Sequence, residues 1–227
     1  MIEDGDRVLV AVSGGVDSSA LARVLAEKRR SYPIAFELTA CHVTTDLNPP
    51  TEGGNDWLDR FFGQLEVPLL RRHALVVARL DPDREQSCFF CAMQRRKALL
   101  AVAAEQGCGK IAYGHHLDDV IETLLLNMLY KAEISTMPAR LELDDHDAVI
   151  IRPLSRVKEA EIKRYAEKLG IEQAGPVCPF GLDGRRQRIK RLIGELAEEE
   201  PRIRDNLAAS LGRVKEGYLQ EKLRKPE

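Results

Sequence analysis

The residues Ser13-Gly14-Gly15-Val16-Asp17-Ser18-Ser19 follow the apolar run Arg7–Val12 and open a segment of helical length. That order is suited to holding phosphate. Two adjacent glycines let the backbone turn sharply and offer its N–H groups to an anion, the helix start adds a positive end, and three serine hydroxyls can donate hydrogen bonds. No lysine stands at the helix start, so the spacing is neither the Gly-x-x-x-x-Gly-Lys-Ser/Thr of an ordinary P-loop nor the Gly-x-Gly-x-x-Gly of a dinucleotide site.

Three further groups of residues can carry chemistry. Cys88 and Cys91 stand three apart at a helix start, where thiolates are stabilised, and Cys178 could close the same site from a distant loop. Three thiolates leave one position open on a four-iron cube or a zinc tetrahedron, and the spacing alone suits either metal. Tyr113-Gly114-His115-His116-Leu117-Asp118-Asp119 places two carboxylates at another helix start. There they can cap the helix, hold Mg2+ or orient a reacting group. Basic residues gather near the cysteines: Arg95, Arg96 and Lys97 after Cys91, then Arg185, Arg186, Arg188, Lys190 and Arg191 after Cys178. Such a run can be a solvated helix face or can track nucleic-acid phosphates.

These groups need elements to position them. Apolar runs at 7–12, 34–43, 67–73, 110–113 and 148–152 alternate with helix-length segments at 17–30, 55–65, 91–106, 117–130 and 158–169. The pattern predicts an α/β fold, a five-stranded parallel sheet with helices on both faces, plus C-terminal helices. Ligands of such sheets bind at the carboxyl ends of the strands, where every group above falls. Residues 1–170 read as the nucleotide-binding domain and 171–227 as a Cys-containing loop with a helical extension packed on it. The stretch 44–54, rich in Pro and Gly, reads as a loop. With 227 residues and a formal charge of −2, no global field draws the chain to nucleic acid, so basic clusters must do it locally. No signal sequence or membrane-length apolar run is visible, so a cytoplasmic location and no membrane partner are expected. Five cysteines in such a chain argue for metal, catalysis or burial rather than disulfides, with Cys41 and Cys108 as core thiols.

The Ser13–Ser19 loop resembles that of the pyrophosphatase-loop (PP-loop) ATPases, which cleave ATP between the α- and β-phosphates. Together with Cys88-x-x-Cys91, the Gly114–Asp119 motif and Cys178, in that order, it makes the chain similar to the tRNA 2-thiocytidine synthetase family of iron–sulfur tRNA-thiolating enzymes. Leu126-Asn127-Met128-Leu129-Tyr130, Met137-Pro138, Ile151-Arg152-Pro153-Leu154 and Gln187-Arg188 extend the likeness over nearly the whole chain. The resemblance implies a Rossmann-like fold of the adenine nucleotide alpha hydrolase type. It also implies adenylation of a tRNA base carbonyl, an anticodon-loop cytidine, followed by replacement of oxygen with sulfur. ATP, Mg2+ and a 4Fe-4S cluster would be required, with Cys88, Cys91 and Cys178 as cluster ligands. Ser13, Gly14, Gly15, Val16, Asp17, Ser18, Ser19, Gly114 and His115 would bind the nucleotide, and fold analogy adds His42 and Val43 beside adenine or ribose. Asp119, Asp118 and Arg95 would act in catalysis, and Arg96, Arg185, Arg186, Arg188 and Lys190 would contact RNA.

The expected partners are tRNA, a sulfur donor (a cysteine desulfurase or free sulfide) and a second copy of the chain. Val16 stands where the family usually has Lys, which removes one positive contact. Gly181 stands where the family often has a further cysteine, which leaves three candidate ligands. An RNA-binding protein with structural zinc and a cluster-free amidating or ligating enzyme are the alternative readings.

Overall fold

The computed structural model describes residues 1–47, 54–76, 88–174 and 184–218. Its central strand is β1 (Arg7–Val12), buried along all but its first residue. Val8, Val10 and Val12 join one core layer and Leu9 and Ala11 the other, the alternation of a strand covered on both faces. That double burial is why the run is apolar throughout. Along the chain follow α1 (Val16–Ser31), β2 (Glu37–Thr45), α2 (Gly54–Leu65), β3 (Leu69–Ala74), α3 (Cys88–Glu105), β4 (Lys110–Ala112) and α4 (Leu117–Lys131). Then come β5 (Arg140–Leu143), β6 (His146–Ile151), α5 (Glu159–Lys168), α6 (Arg185–Glu199) and α7 (Ile203–Ser210).

The strands lie in the order β3-β2-β1-β4-β6-β5. The first five in that order pair in parallel, as the sequence pattern predicts, and β5 adds a sixth, antiparallel edge strand. Four residues long and mostly exposed, β5 lacks the apolar run that reveals the others. On one face α1, α2 and α5 supply Leu21, Leu58, Phe62 and Ile162 to the core. On the other, α3 supplies Leu99, Val102 and Ala103. Cys41 and Cys108 are buried in this second layer, and burial pushes the Cys41 thiol up to about 11 and Cys108 upward as well. The 44–54 stretch lies partly outside the described residues; β2 runs into it as far as Thr45. No described helix is long and apolar enough to cross a membrane.

The C-terminal helices dock on α4. Ile189 and Ile193 of α6 bury against Ile121, and Leu207 of α7 joins them. A charged contact ties α6 to α5, where Lys190 reaches Glu159 at 2.9 Å, and Lys163 within α5 reaches the same carboxylate at 2.8 Å. Burial pushes the Glu159 carboxyl up, but hydrogen bonds from Lys163 and Lys190 outweigh that and hold it at about 2. A carboxylate held below its ordinary 4.5 adds stability above that pH and loses it as the pH falls toward about 2. The denaturant midpoint, followed by circular dichroism, is therefore expected to drop across this acid window. Lys190→Gln should shrink that dependence while costing less than about 1 kcal/mol at neutral pH, because the pair is half exposed.

Candidate active site

From β1 the chain builds outward to β2 and β3, then crosses back to β4 on the other side. At the carboxyl edge the connections of the neighbouring strands β1 and β4 leave in opposite directions, the usual place for a ligand crevice in such a sheet. A cavity of about 370 Å³ lies there, walled by the ends of β1, β2 and β4 and by the first turns of α1 and α4 together with a face of α3.

The floor is the glycine turn. Gly14 has φ of 84°, a conformation that favours glycine, and Gly15 caps α1 without any side-chain hydrogen bond. The first N–H groups of α1 are thus left for an outside acceptor, at the positive end of the helix. Ser13, Asp17 and Ser18 line the cavity. The Ser18 and Ser19 hydroxyls both donate to the Gly15 carbonyl, at 2.9 and 3.2 Å, and Ser19 is fully buried, so it shapes the loop from beneath. Val16 packs into the core, leaving its backbone as its only offer to a ligand. Val43 lines the cavity, whereas His42 is buried and its Nδ1–H donates to the Val12 carbonyl at 2.9 Å, tying β2 to β1.

The roof is the turn between β4 and α4. A Cβ on Gly114 would stand 2.9 Å from the Ser18 nitrogen, closer than real Cβ contacts allow, so only glycine lets this turn meet α1. His116 caps α4: its Nδ1 accepts from the Asp119 N–H at 3.3 Å, and the Asp119 carboxylate accepts from the His116 N–H at 3.1 Å. The remaining ring nitrogen, Nε2, lies 3.5 Å from Asp119 and 3.9 Å from Asp17. Burial pushes the Asp17 carboxyl upward, opposed by His116 and reinforced by Asp119. Two crowded carboxylates beside a phosphate cradle form a donor set suited to a divalent cation.

Asp118 is placed differently. Only 7% exposed, it accepts from the Glu159 N–H at 2.8 Å and from Arg204 at 2.9 Å, joining α4, α5 and α7. Of the two adjacent carboxylates expected in catalysis, Asp119 therefore faces the cavity and Asp118 holds the helices together. Successive helical residues point about 100° apart, so both could not face one ligand.

Ala92, Arg95, Arg96 and Leu99 form the cavity stripe of α3. Positions 88 and 91 extend that stripe by one turn, four residues before 92 and 95, at the helix N-terminus. Cys91 is half-buried, and Cys178 lies outside the described residues. The segment that carries Cys178 leaves from Ala174, whose N–H donates to the Gly14 carbonyl at 2.8 Å, and α6 begins beyond it. Among the described residues no group of three or more Cys, His, Asp or Glu converges as a metal site. On α6, Arg186 reaches Glu122 at 3.0 Å, Thr123 at 3.1 Å and Asp119 at 3.4 Å, and Lys190 is held by Glu159. Arg185 lies over the Tyr130 ring at 4.7 Å, and Arg188 is exposed. The basic run therefore divides: Arg186 and Lys190 brace the protein, while Arg185 and Arg188 stay on the surface.

Tyr113 and Arg152 stand in motifs that the sequence shows, but nothing in the sequence assigns either a role at the site. Tyr113 lines the cavity, and its buried hydroxyl makes no hydrogen bond of normal geometry among the described residues. Arg152 supports His115, which also lines the cavity. The available signal was a charged residue ending the apolar run of β6 just before Pro153.

Residues 3–175 match the family model of the PP-loop domain. A tRNA-cytidine(32) 2-sulfurtransferase from Anaeromyxobacter sp. (strain Fw109-5) is 39% identical over 230 residues, 98% of this chain and 74% of the relative. The protein of that name from Syntrophotalea carbinolica is 38% identical over 222 residues, 96% of this chain and 85% of the relative. The chain belongs to this PP-loop family. Among solved structures, the U34-tRNA thiolase NcsA from Methanococcus maripaludis, described with its [4Fe-4S] cluster, superposes with a TM-score of 0.79. It is 23% identical and covers 99% of this chain and 77% of its own. The NH3-dependent NAD synthetase from Campylobacter jejuni shares the fold at a TM-score of 0.50 and 18% identity, over 98% of this chain and 91% of its own.

The tightest constraint in this PP-loop site is the contact at Gly114. Gly114→Ala is expected to push the α4 turn off α1, lowering stability by about 1–3 kcal/mol and ATP affinity by at least about tenfold. Calorimetric ATP binding beside thermal denaturation checks both.

Proposed function

We propose that this chain is an ATP-dependent tRNA sulfurtransferase that adenylates the 2-carbonyl of an anticodon-loop cytidine, position 32, and replaces its oxygen with sulfur. The observation that carries the reading is one cavity bounded both by the glycine cradle of α1 and by the α3 stripe that leads back to Cys88 and Cys91. The curated relatives carry the name tRNA-cytidine(32) 2-sulfurtransferase, which fits that pairing.

In this reading the free N–H groups at the start of α1, with Ser13 and Ser18, hold the ATP phosphates. Asp17 and Asp119 hold Mg2+ on the cradle, and Val43 lies beside the nucleoside. The base oxygen attacks the α-phosphorus, the bond to the β-phosphate oxygen breaks, and pyrophosphate leaves. Arg95 and Arg96, from the opposite wall, balance the charge that builds on the phosphoryl oxygens. A sulfide then adds at C2 and AMP departs with the original oxygen. Cys88, Cys91 and Cys178 would hold a 4Fe-4S cluster, for which two cysteines on one face of a helix start and a third from later in the chain are a fitting donor set. Bound there, the cluster supplies an iron without a protein ligand at which sulfide can be held. Residues 1–170 form the nucleotide-binding unit, and 171–227 bring Cys178 and the surface cations Arg185 and Arg188 toward tRNA. A cysteine desulfurase or free sulfide is the sulfur source, and the chain acts as a homodimer through its C-terminal helices.

Anaerobically reconstituted protein, given ATP, sulfide and tRNA, should yield 2-thiocytidine by nucleoside mass spectrometry. Cys88→Ser should abolish the visible cluster absorption and reduce the product at least about 100-fold. A colourless, one-zinc protein would favour the RNA-binding reading. Full activity of cluster-free Cys88→Ser would favour a cluster-independent ligase-type reaction.

A further inference from the structure

Arg152 is only 4% exposed, yet no carboxylate pairs with it among the described residues. Its Nη1 donates to the Pro138 carbonyl at 2.6 Å and its Nε donates to His115 Nδ1 at 3.4 Å. Burying a cation without an anion is costly, and a guanidinium does not escape the cost by losing its proton. Two stretches singled out in the sequence, Met137-Pro138 and Ile151-Arg152-Pro153-Leu154, meet in this contact.

The chemical consequence falls on His115. A donor aimed at Nδ1 requires a lone pair there, so the single proton of the neutral ring resides on Nε2. The Tyr113 ring stacks on the imidazole with centroids 5.4 Å apart and planes within 5°, which fixes its orientation. Burial pushes the His115 pKa down to about 4. Asp119 opposes that shift, while the charges of Arg152 and Arg186 add to it, so the ring is neutral at physiological pH. His115 lines the cavity, and Gly114 beside it touches the first turn of α1, so His115 shares one cavity with the phosphate cradle.

We propose that Arg152 is a positioning residue that locks His115 as an Nε2–H donor toward a phosphate oxygen of the bound nucleotide. The assignment rests on the ATP-using reading above and gives His115 a role other than general base. Attack by a carbonyl oxygen releases no proton, so the first step needs no base at this position. A fixed neutral donor can follow the phosphoryl oxygen as it gains charge without itself changing protonation.

Nitrogen-15 NMR of the histidines in the full-length wild-type chain tests the central point without any substitution. His115 should show the Nε2–H tautomer at pH 7. A ring protonated on Nδ1, or on both nitrogens, would overturn the proposal. Arg152→Lys keeps the charge but loses the planar donor, and Arg152→Met loses both. Each is expected to give mixed His115 tautomers and about tenfold weaker ATP binding. If either variant, folded by circular dichroism, keeps the wild-type tautomer and ATP affinity, the role is refuted. Because neither readout involves tRNA or sulfur, failure to thiolate would sink the functional proposal and leave this one intact.

Discussion

The contact between Gly114 and the backbone of Asp17 and Ser18 sets the geometry on which the site depends. It is a distance constraint between two helix starts, α1 and α4, held close because the turn between β4 and α4 carries no Cβ at the point of approach. Parallel pairing of β1 with β4 brings the two starts to one sheet edge. Pairing of β1 with β2 on its other side then sends the neighbouring connection away, and α3 covers the opening. The cavity is thus a product of strand order and one missing methyl group.

Its electrostatics follow from the same arrangement. The positive ends of α1 and α4 point toward one volume. Asp17 and Asp119 sit at those ends, where a negative charge is favoured, but burial and the nearby Asp119 carboxylate raise the cost of keeping Asp17 ionised. Across the cavity stand Arg95 and Arg96, with Arg152 behind His115. Carboxylates on one wall and guanidiniums on the other match a metal-bound polyphosphate better than an apolar ligand. The outer helices hold this in place: Arg186 of α6 reaches Asp119, and Arg204 of α7 reaches Asp118. The C-terminal segment therefore braces the site as well as adding surface.

Much of this was legible in the sequence because it is local. Parallel strands buried on both faces announce themselves as apolar runs, and the glycine turn with its helix is a motif of contiguous residues. What was hidden is long-range or subtle in direction. β5 is short and exposed, and its pairing with β6 leaves no periodic trace. Asp118 and Asp119 look equivalent at a helix start, and only the packing of α5 and α7 decides which one faces inward. In the basic run of α6, Arg186 and Lys190 find acidic partners on α4 and α5, contacts that a charge count cannot reveal. Arg152 was hidden for a similar reason, since its partners come from two other segments of the chain.

The central proposal is spatial: one cavity would receive the α-phosphate of ATP and would be shared with a cluster held at the helix start that carries Cys88 and Cys91. An anaerobic crystal structure of the cluster-loaded protein with a non-hydrolysable ATP analogue tests it most directly. A shared cavity predicts the α-phosphate on the α1 cradle, with the cluster at the start of α3 facing it across open space that a base could enter. A cluster facing another flank of the molecule, or a nucleotide bound away from the glycine turn, would contradict it.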